Sequence, residues 1–286
     1  MKKVGIITDS TSCLAGELAK THDIELVPLA IIHEGKTYHD GFDISPEEVY
    51  KIMRMRKNLP STSAPSVGDF LECYCQLSQR VESILCIVLS SVQSNLFQVA
   101  TMAKDQAREV IPNTTIEVID SKAAAGSLGF VVLEAARAAN RGADLFEVSN
   151  VAREMIPRVN LLAMVDTLFY LARTGRVGKA SAWAGSMLKV KPILGHSTET
   201  GETTAVARPR TKEKGLKCML DLMAERVGDS PVHVIVHHAD EIQEGKRLMD
   251  AIGSRFNCTE LHLTEFTSGM GAHCGPGVVG ISFYID

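Results

Sequence analysis

Short apolar runs alternate with amphipathic segments along the whole chain. Residues 3–8 form such a run, and it ends in Asp-Ser-Thr-Ser, residue types that cap helices and form turns. The same order of apolar run, capping residues and helix-forming segment returns several times. Strands that alternate with helices are typical of a parallel sheet with both faces covered. The pattern therefore predicts an α/β fold.

The first half is predicted to hold four strands and several helices. The strands are expected at residues 3–8, 24–32, 84–89 and 115–119. The sequence Ser45-Pro46-Glu47-Glu48 is a strong helix start, and Ser66 resembles the first residue of a capping box ahead of a helix at 70–77. Further helices are expected after Ser94 as far as residue 110, and at 123–139 and 145–155. We predict an N-terminal lobe, residues 1–159, with a mostly parallel sheet flanked by helices.

The second half shows a looser pattern. Strands are expected at 161–165, 232–237, 260–264 and 278–284, and helices at 167–173, 211–226 and 241–256, the first of them capped by Asp166. Residues 192–196 and 203–207 flank the turn-rich segment Thr198-Glu199-Thr200-Gly201, which predicts an antiparallel hairpin. The second lobe, residues 160–286, is thus predicted to be α/β with a mixed sheet.

Composition excludes several classes of protein. The chain has 286 residues, 45% of them apolar, which is enough for a sizeable core. A formal net charge of -4 gives no overall attraction to nucleic acid or to an anionic membrane. Uncharged stretches stay well below the roughly 18 to 20 residues that a membrane-spanning helix needs. The apolar run near the N-terminus is too short for a signal peptide, so we expect a cytoplasmic protein.

The common catalytic and metal-binding motifs are not found. The glycines from 269 to 277 do not have the G-x-G-x-x-G spacing, and no phosphate-binding G-x-x-x-x-G-K-[ST] or G-x-S-x-G nucleophile motif occurs. His233 and His237 share a strand face but lie about 13 Å apart by strand rise, too far for a shared metal. Asp9 stands where an aspartyl-phosphate nucleophile could lie, yet a ligand or helix-cap contact suits it better. We expect no metal and no cofactor.

Three turns in the first half are unusually rich in hydroxyl groups. They are Thr8-Asp9-Ser10-Thr11-Ser12, Ser61-Thr62-Ser63, and Ser90-Ser91 to Ser94-Asn95. In a parallel α/β sheet such turns cluster at the carboxyl ends of the strands, where ligands bind. Helix N-termini there favour a carboxylate or a phosphate, although Ser, Thr and Asp also simply cap helices.

Taken together with two later segments, these turns resemble the DegV family. Its members carry a T-D-S-T opening, a T-S-Q-P-S loop, an S-S-x-L-S-G-T-Y turn, a V-I-D-S strand end, an L-x-Y-L-x-x-G-G-R segment and a terminal H-x-G-P-G. The corresponding segments here, in the same order and across the whole chain, are residues 8–11, 62–66, 90–97, 118–121, 168–176 and 273–277. Three positions differ: Ala64 replaces Gln, Asn95-Leu96-Phe97 replaces Gly-Thr-Tyr, and Thr174 replaces a Gly.

The resemblance implies a non-catalytic, two-lobed protein that binds one long-chain fatty acid in a tunnel, with the carboxylate near the interface of the lobes. By position, Thr62 and Ser94 are expected to contact the carboxylate, Asn95 to offer its backbone N–H, and His273 and Arg176 to support the carboxylate. A second layer of polar groups is expected from Asp9, Ser10, Ser63 and Ser121. Six large apolar residues are candidates either for the tunnel wall or for ordinary core: Phe97, Phe130, Phe169, Trp183, Met187 and Met270.

The resemblance also implies a partner. In bacterial relatives with the FakB role, the loaded protein presents the carboxylate to a separate kinase, which makes an acyl phosphate for phospholipid synthesis. Residues 167–212 carry eight basic and two acidic side chains, a net charge of +6. Part of this surface is a candidate docking site for the kinase, and a plain solvated basic face is an equal alternative.

Two other functions stay open at this point. One is an enzyme that acts on a small carboxylate or phosphate, with His273 and Asp9 as an acid–base pair. The other is a regulatory or scaffolding protein for which the lipid is only a signal.

Overall fold

The computed structural model describes residues 2–14, 16–183 and 190–286. The elements of its first half, in chain order, are β1 (Lys2–Asp9), α1 (Gly16–Thr21), β2 (Ile24–Val27), β3 (Ala30–His33), β4 (Lys36–His39), α2 (Pro46–Arg54), β5 (Ser61–Ser63), α3 (Val67–Ser78), β6 (Val81–Val88), α4 (Leu96–Val110), β7 (Thr115–Asp120), α5 (Gly126–Asn140) and α6 (Leu145–Met155). A 3-10 turn at Ser10–Ser12 follows β1.

The second half continues with β8 (Asn160–Met164), α7 (Phe169–Arg173), β9 (Ile193–His196), β10 (Thr203–Ala207), α8 (Lys212–Val227), β11 (Val232–His238), α9 (Ile242–Arg255), β12 (Cys258–Glu265), α10 (Ser268–Cys274) and β13 (Val279–Ile285). A 3-10 turn at Gly178–Trp183 lies between α7 and β9.

The N-terminal sheet has four parallel strands in the order β2-β1-β6-β7. Two helix pairs, α3 with α4 and α5 with α6, contact its strands. Strand β1 is buried from Val4 to Asp9, which explains the continuous apolar run at this point of the sequence, because helices cover both faces of a parallel sheet.

The C-terminal sheet is mixed and has six strands in the order β10-β9-β8-β13-β11-β12. Only the β11–β12 pair is parallel among these neighbours. Helix α5 contacts strands of both large sheets, and the rings of Phe130 and Tyr284 meet edge to face at 4.9 Å across this contact. The predicted α/β class, with a mostly parallel and a mixed sheet, is confirmed. The boundary between residues 159 and 160 stays a prediction.

A third, small sheet was not predicted. It is antiparallel, with the order β4-β3-β5. The predicted strand at 24–32 is wrong as a single element, because the chain leaves the parallel sheet after Val27 and starts β3 at Ala30. Pro28 lies at this break, and proline cannot donate to a strand ladder. Thr62 therefore lies on β5 in this small sheet, not in a turn at the carboxyl end of a parallel strand.

Five of the described helices, α2, α3, α6, α8 and α10, begin after a residue whose side chain caps the helix. Complete capping boxes join Ser45 with Glu48 at α2, and Ser66 with Asp69 at α3, as the sequence indicates. The predicted cap at Asp166 is wrong. The Thr167 hydroxyl accepts the Phe169 N–H, while Asp166 pairs with Lys191. Across the described ranges, the helices are all too short or too polar to cross a lipid bilayer.

Candidate ligand site between the two large sheets

A cavity lies between the sheet formed by β8, β9 and β10 and the loops that follow β1 and β6, with α10 along one side. It encloses about 900 Å³ of empty space, its open mouth included. Most of its wall is apolar: Leu29, Ala64, Leu89, Ala124, Leu161, Ala163, Val165, Leu171, Leu194, Phe266, Met270 and Cys274. The polar side chains in the wall are Thr11, Thr62, Gln93, Ser94, Arg176, His196, Thr203 and His273.

Thr62 and His273 form a hydrogen-bonded pair in this wall. The Thr62 Oγ1 lies 2.6 Å from the His273 Nε2. Pairing with Ile31 on β3 fixes Thr62 in β5, and His273 occupies the last turn of α10. Burial lowers the pKa of His273 to about 4, and the positive charges of Arg176 and Arg173 add to this effect. The imidazole is therefore neutral at pH 7.

Ser94 and Arg176 join this pair in the wall of the cavity. Ser94 is half-buried and directly precedes the N-cap of α4. Arg176 donates from Nε to the Gln93 carbonyl at 3.2 Å and from Nη1 to the Thr174 carbonyl. The Thr203 hydroxyl donates to the Arg176 carbonyl and accepts from the Gln93 amide. These bonds hold the positively charged guanidinium of Arg176 in the cavity wall that also contains the Thr62 and Ser94 hydroxyls. The structure thus brings together the four side chains expected at the carboxylate.

Two other expected residues lie outside the cavity wall. Asn95 is exposed and forms the N-cap of α4 without a side-chain capping bond. Ser63 is exposed, and its hydroxyl donates to the Ala64 carbonyl. Strand alternation explains the second case, because neighbours on a strand point to opposite faces and Thr62 points inward.

Asp9, Ser10 and Ser121 are buried supports of the turns. The Asp9 carboxylate accepts hydrogen bonds from Thr11 and from the Leu89 N–H, as the predicted helix-cap contact requires. Burial raises the pKa of Asp9, although these hydrogen bonds oppose the shift. The Ser10 hydroxyl donates to Asp40 at 2.6 Å, and that of Ser121 donates to the Ala123 carbonyl. Asp9 does not line the cavity, so the acid–base pair with His273 is not assembled.

Sequence reasoning missed four polar side chains of the wall: Thr11, Gln93, His196 and Thr203. Of the six apolar candidates for a tunnel, Met270 lines the cavity, whereas Phe130 is fully buried core and Phe169 is 47% exposed. Phe97 packs against the N-terminal core. The Trp183 side chain and Met187 lie outside the described residues. The expected site residues came from the hydroxyl-rich turns and the family motifs, and the hairpin residues His196 and Thr203 belong to neither.

The histidines of β11 have internal partners. His237 is fully buried between Thr264 and Ser282, at 2.9 and 3.1 Å from their hydroxyls. His233 contacts Glu260 and Asp286. Both histidines are therefore hydrogen-bonded within the fold. Within residues 2–14, 16–183 and 190–286, no group of three or more side chains could hold a metal ion.

The chain is similar to a known protein family over almost its whole length. The family model described as "Uncharacterised protein, DegV family" matches residues 3–286. A DegV domain-containing protein of Clostridium acetobutylicum is 34% identical over 284 residues, which are 99% of this chain and 98% of the relative. A DegV domain-containing protein of Caldanaerobacter subterraneus is also 34% identical, with 99% of each chain covered.

Solved structures agree with the family match. A fatty-acid-binding DegV family protein from Thermus thermophilus superposes with a TM-score of 0.90 at 27% identity, over 99% of this chain and 100% of the other. DegV of Bacillus subtilis, described as a fatty acid binding protein, gives a TM-score of 0.89 at 27% identity with both chains fully covered. The match over nearly the whole chain, together with the shared two-lobed fold, shows that the protein belongs to the DegV family.

Proposed function

We propose that this protein binds one long-chain fatty acid in the cavity, with the carboxylate at Thr62, Ser94, Arg176 and His273. The observation that carries the proposal is the composition of the wall, which is largely apolar and has these four side chains among its polar members. Such a wall matches an amphipathic ligand with one anionic group. The structural relatives from Thermus thermophilus and Bacillus subtilis, both described as fatty-acid-binding, support the same ligand class.

Each of the four polar groups has a definite role in this proposal. The Thr62 and Ser94 hydroxyls donate hydrogen bonds to the carboxylate oxygens. Arg176 lies beside the polar end through its bond to the Gln93 carbonyl and supplies positive charge. His273 is neutral at pH 7 and lies 2.6 Å from the Thr62 hydroxyl, so it orients this hydroxyl.

The apolar wall accounts for the affinity. Burial of one methylene group contributes about 0.8 kcal/mol, so an alkyl chain of about fifteen carbons contributes on the order of 10 kcal/mol before the costs of association. The hydrogen bonds to the head group add to this affinity and fix the register and orientation of the ligand. A short-chain carboxylic acid buries few methylene groups, and we expect it to bind weakly.

We further propose that the protein is non-catalytic and presents its ligand to a separate fatty-acid kinase in the cytoplasm. No cofactor is needed for this role. The basic surface between residues 167 and 212 supports it, because Arg208 and Arg210 are exposed there and positive charge attracts a phosphate-bearing or acidic partner. The test is acyl-phosphate production with a fatty-acid kinase and the double variant Arg208→Glu, Arg210→Glu. Unchanged production would exclude this surface as the docking site.

The fatty-acid proposal is tested by native mass spectrometry of freshly purified protein, followed by denaturation and identification of the extracted lipid. We expect a stoichiometric adduct with the mass of a C14 to C20 fatty acid. The double variant Thr62→Ala, Ser94→Ala should lose this adduct, whereas Ser63→Ala, which alters an exposed neighbour, should keep it. A wild-type protein that is empty and takes up no added fatty acid would refute the proposal.

A further inference from the structure

His196 is a polar residue in an otherwise apolar row of the cavity wall. Alternate residues of a strand face the same side of a sheet. On β8 and in the residue after it, Leu161, Ala163 and Val165 face the cavity, and on the neighbouring β9 Leu194 and His196 do so. The imidazole therefore points to the same space as the side chains assigned to the alkyl chain.

The two ring nitrogens of His196 have different surroundings. The backbone of Lys122 lies beside the ring and opposes the lowering of its pKa, whereas Nε2 is buried and has no hydrogen-bond partner among the described residues. A backbone group that favours the protonated ring is a carbonyl, so we assign the proton to Nδ1, the nitrogen on the side of Lys122. In a neutral imidazole the other nitrogen is then an acceptor. Burial lowers the pKa of His196 to about 4, against the opposing effect of Asp120, so the ring is neutral at pH 7.

Strand register places this acceptor near the polar end of the cavity. His196 is the direct cross-strand partner of Thr203, and the Cβ atoms of such partners lie about 5 Å apart on one face. The Thr203 hydroxyl in turn contacts Gln93 and the Arg176 carbonyl. His196 is thus one cross-strand neighbour away from the residues around the carboxylate, and it faces the first carbons of the alkyl chain.

A hydroxyl group is the ligand group that suits this position. The Nε2 acceptor requires a donor, and the alkyl chain of an ordinary fatty acid has none. An ammonium donor is disfavoured because Arg176 already brings positive charge to the same cavity. A neutral hydroxyl on a carbon near the carboxylate satisfies the acceptor without this repulsion.

We propose that the His196 Nε2 accepts a hydrogen bond from a hydroxyl on the first carbons of the acyl chain, so that the site prefers a hydroxylated long-chain fatty acid. This inference rests on the proposed fatty-acid binding and specifies its ligand. It makes His196 a residue that determines specificity, separate from the four that hold the carboxylate.

The test compares three acids of equal chain length: palmitic, 3-hydroxypalmitic and 16-hydroxypalmitic acid. Their relative affinities are measured by competition in native mass spectrometry and by isothermal titration calorimetry. The wild-type protein should prefer the 3-hydroxy acid over palmitic acid by about threefold to tenfold, the usual net value of one buried hydrogen bond. The 16-hydroxy acid should show no such preference, because its hydroxyl is far from His196.

Three variants isolate the acceptor. His196→Phe removes it at similar volume and should bring the preference ratio to about one, whereas His196→Gln keeps an acceptor oxygen and should retain part of the preference. Ser63→Ala changes an exposed residue outside the cavity wall and should keep the wild-type ratio. Equal affinity of the wild type for palmitic and 3-hydroxypalmitic acid, as expected if Nε2 only binds water, would overturn the inference while leaving fatty-acid binding intact. Failure of all three acids to bind would instead refute the proposed function itself.

Discussion

The Thr62 Oγ1 and the His273 Nε2 lie 2.6 Å apart although 211 residues separate them in the chain. The bond joins β5 of the small antiparallel sheet to α10, and both side chains face the cavity. Because His273 orients the hydroxyl that we assign to the carboxylate, the two residues act as one unit. A change in either one therefore alters the polar end of the cavity.

Replacement of Thr62 by valine tests this unit directly. Thr62→Val keeps the shape of the side chain but removes the hydroxyl, so the ligand loses a donor and His273 loses its partner. We expect fatty-acid affinity to fall about tenfold or more, since an unsatisfied buried polar group costs about 1–3 kcal/mol. Calorimetric titration with palmitic acid measures the change. The control is Ser63→Ala, one residue away and exposed; an equal loss of affinity in this control would contradict the assignment.

Gly275 ends the helix that carries His273, and it has no room for a side chain. Its φ is +80°, and an added Cβ would lie 2.1 Å from the ring of Tyr170. Gly275→Ala should lower the free energy of unfolding by about 2–4 kcal/mol, because a backbone at φ +80° and ψ 166° is disfavoured for any residue with a Cβ and the steric overlap adds to this cost. Gly35 has nearly the same φ, +77°, with open space around it. Gly35→Ala should therefore cost only about 1 kcal/mol.

Urea unfolding of both alanine variants gives the comparison. Equal destabilisation at the two positions would show that the contact with Tyr170 is unimportant and that backbone strain alone explains the glycine. A larger loss of fatty-acid binding in Gly275→Ala is also expected, since α10 positions His273.

Arg137 connects the two lobes through α5. Its guanidinium donates two hydrogen bonds to Glu260 on β12, at 3.0 and 2.7 Å, and one to Glu134. Burial of Glu260 opposes ionisation, but hydrogen bonds from His262, Arg137 and His233 hold its pKa well below the ordinary value. Arg137→Met leaves both carboxylates without this partner.

We expect Arg137→Met to lower the free energy of unfolding by about 1–3 kcal/mol, less than for a fully buried pair because the side chain is 24% exposed. The matched control is Arg153→Met, which breaks an ion pair with Glu117 on the surface, where Arg153 is 53% exposed. That variant should cost less than about 1 kcal/mol. Guanidinium chloride unfolding at low ionic strength measures both, and a larger effect at Arg153 would contradict this view of the lobe contact.

Three buried histidines should make the fold sensitive to acid. Burial lowers the pKa of His196 and His273 to about 4 and that of His237 to about 3, from 6.5 in the unfolded chain. Below pH 6.5 the unfolded state therefore binds more protons than the folded state, and stability falls as the pH decreases toward 4. Each histidine contributes a slope of up to about 1.4 kcal/mol per pH unit.

Urea unfolding at pH 7, 6 and 5 measures this slope. His237→Gln replaces a histidine that lies away from the cavity wall and is held by Thr264 and Ser282. The free energy of unfolding of the variant should fall less steeply with decreasing pH than that of the wild type, by the contribution of one histidine, whatever its stability at pH 7. A slope identical to that of the wild type would show that His237 does not titrate in this range.

Local sequence determined much of the secondary structure and the type of each large sheet. Capping boxes at Ser45 and Ser66 begin helices where the residues indicate, because a cap depends on groups within three positions of one another. The continuous apolar run of β1 indicates a strand covered on both faces. Four of the expected carboxylate residues could be named from motifs, and the structure brings all four to one cavity.

Tertiary structure alone decided the third sheet, the helix that carries His273, and which polar groups face the cavity. The glycines of α10 are poor helix formers, and the sequence around them showed no helical pattern. Gly271 is nevertheless required in this helix, because an added Cβ would lie 2.5 Å from the ring of Tyr50 on α2. Asn95 follows Ser94 directly but is exposed, whereas His196, in a hairpin without any motif, lines the wall. Local patterns encode interactions over a few residues, but burial depends on which distant segments pack against each other.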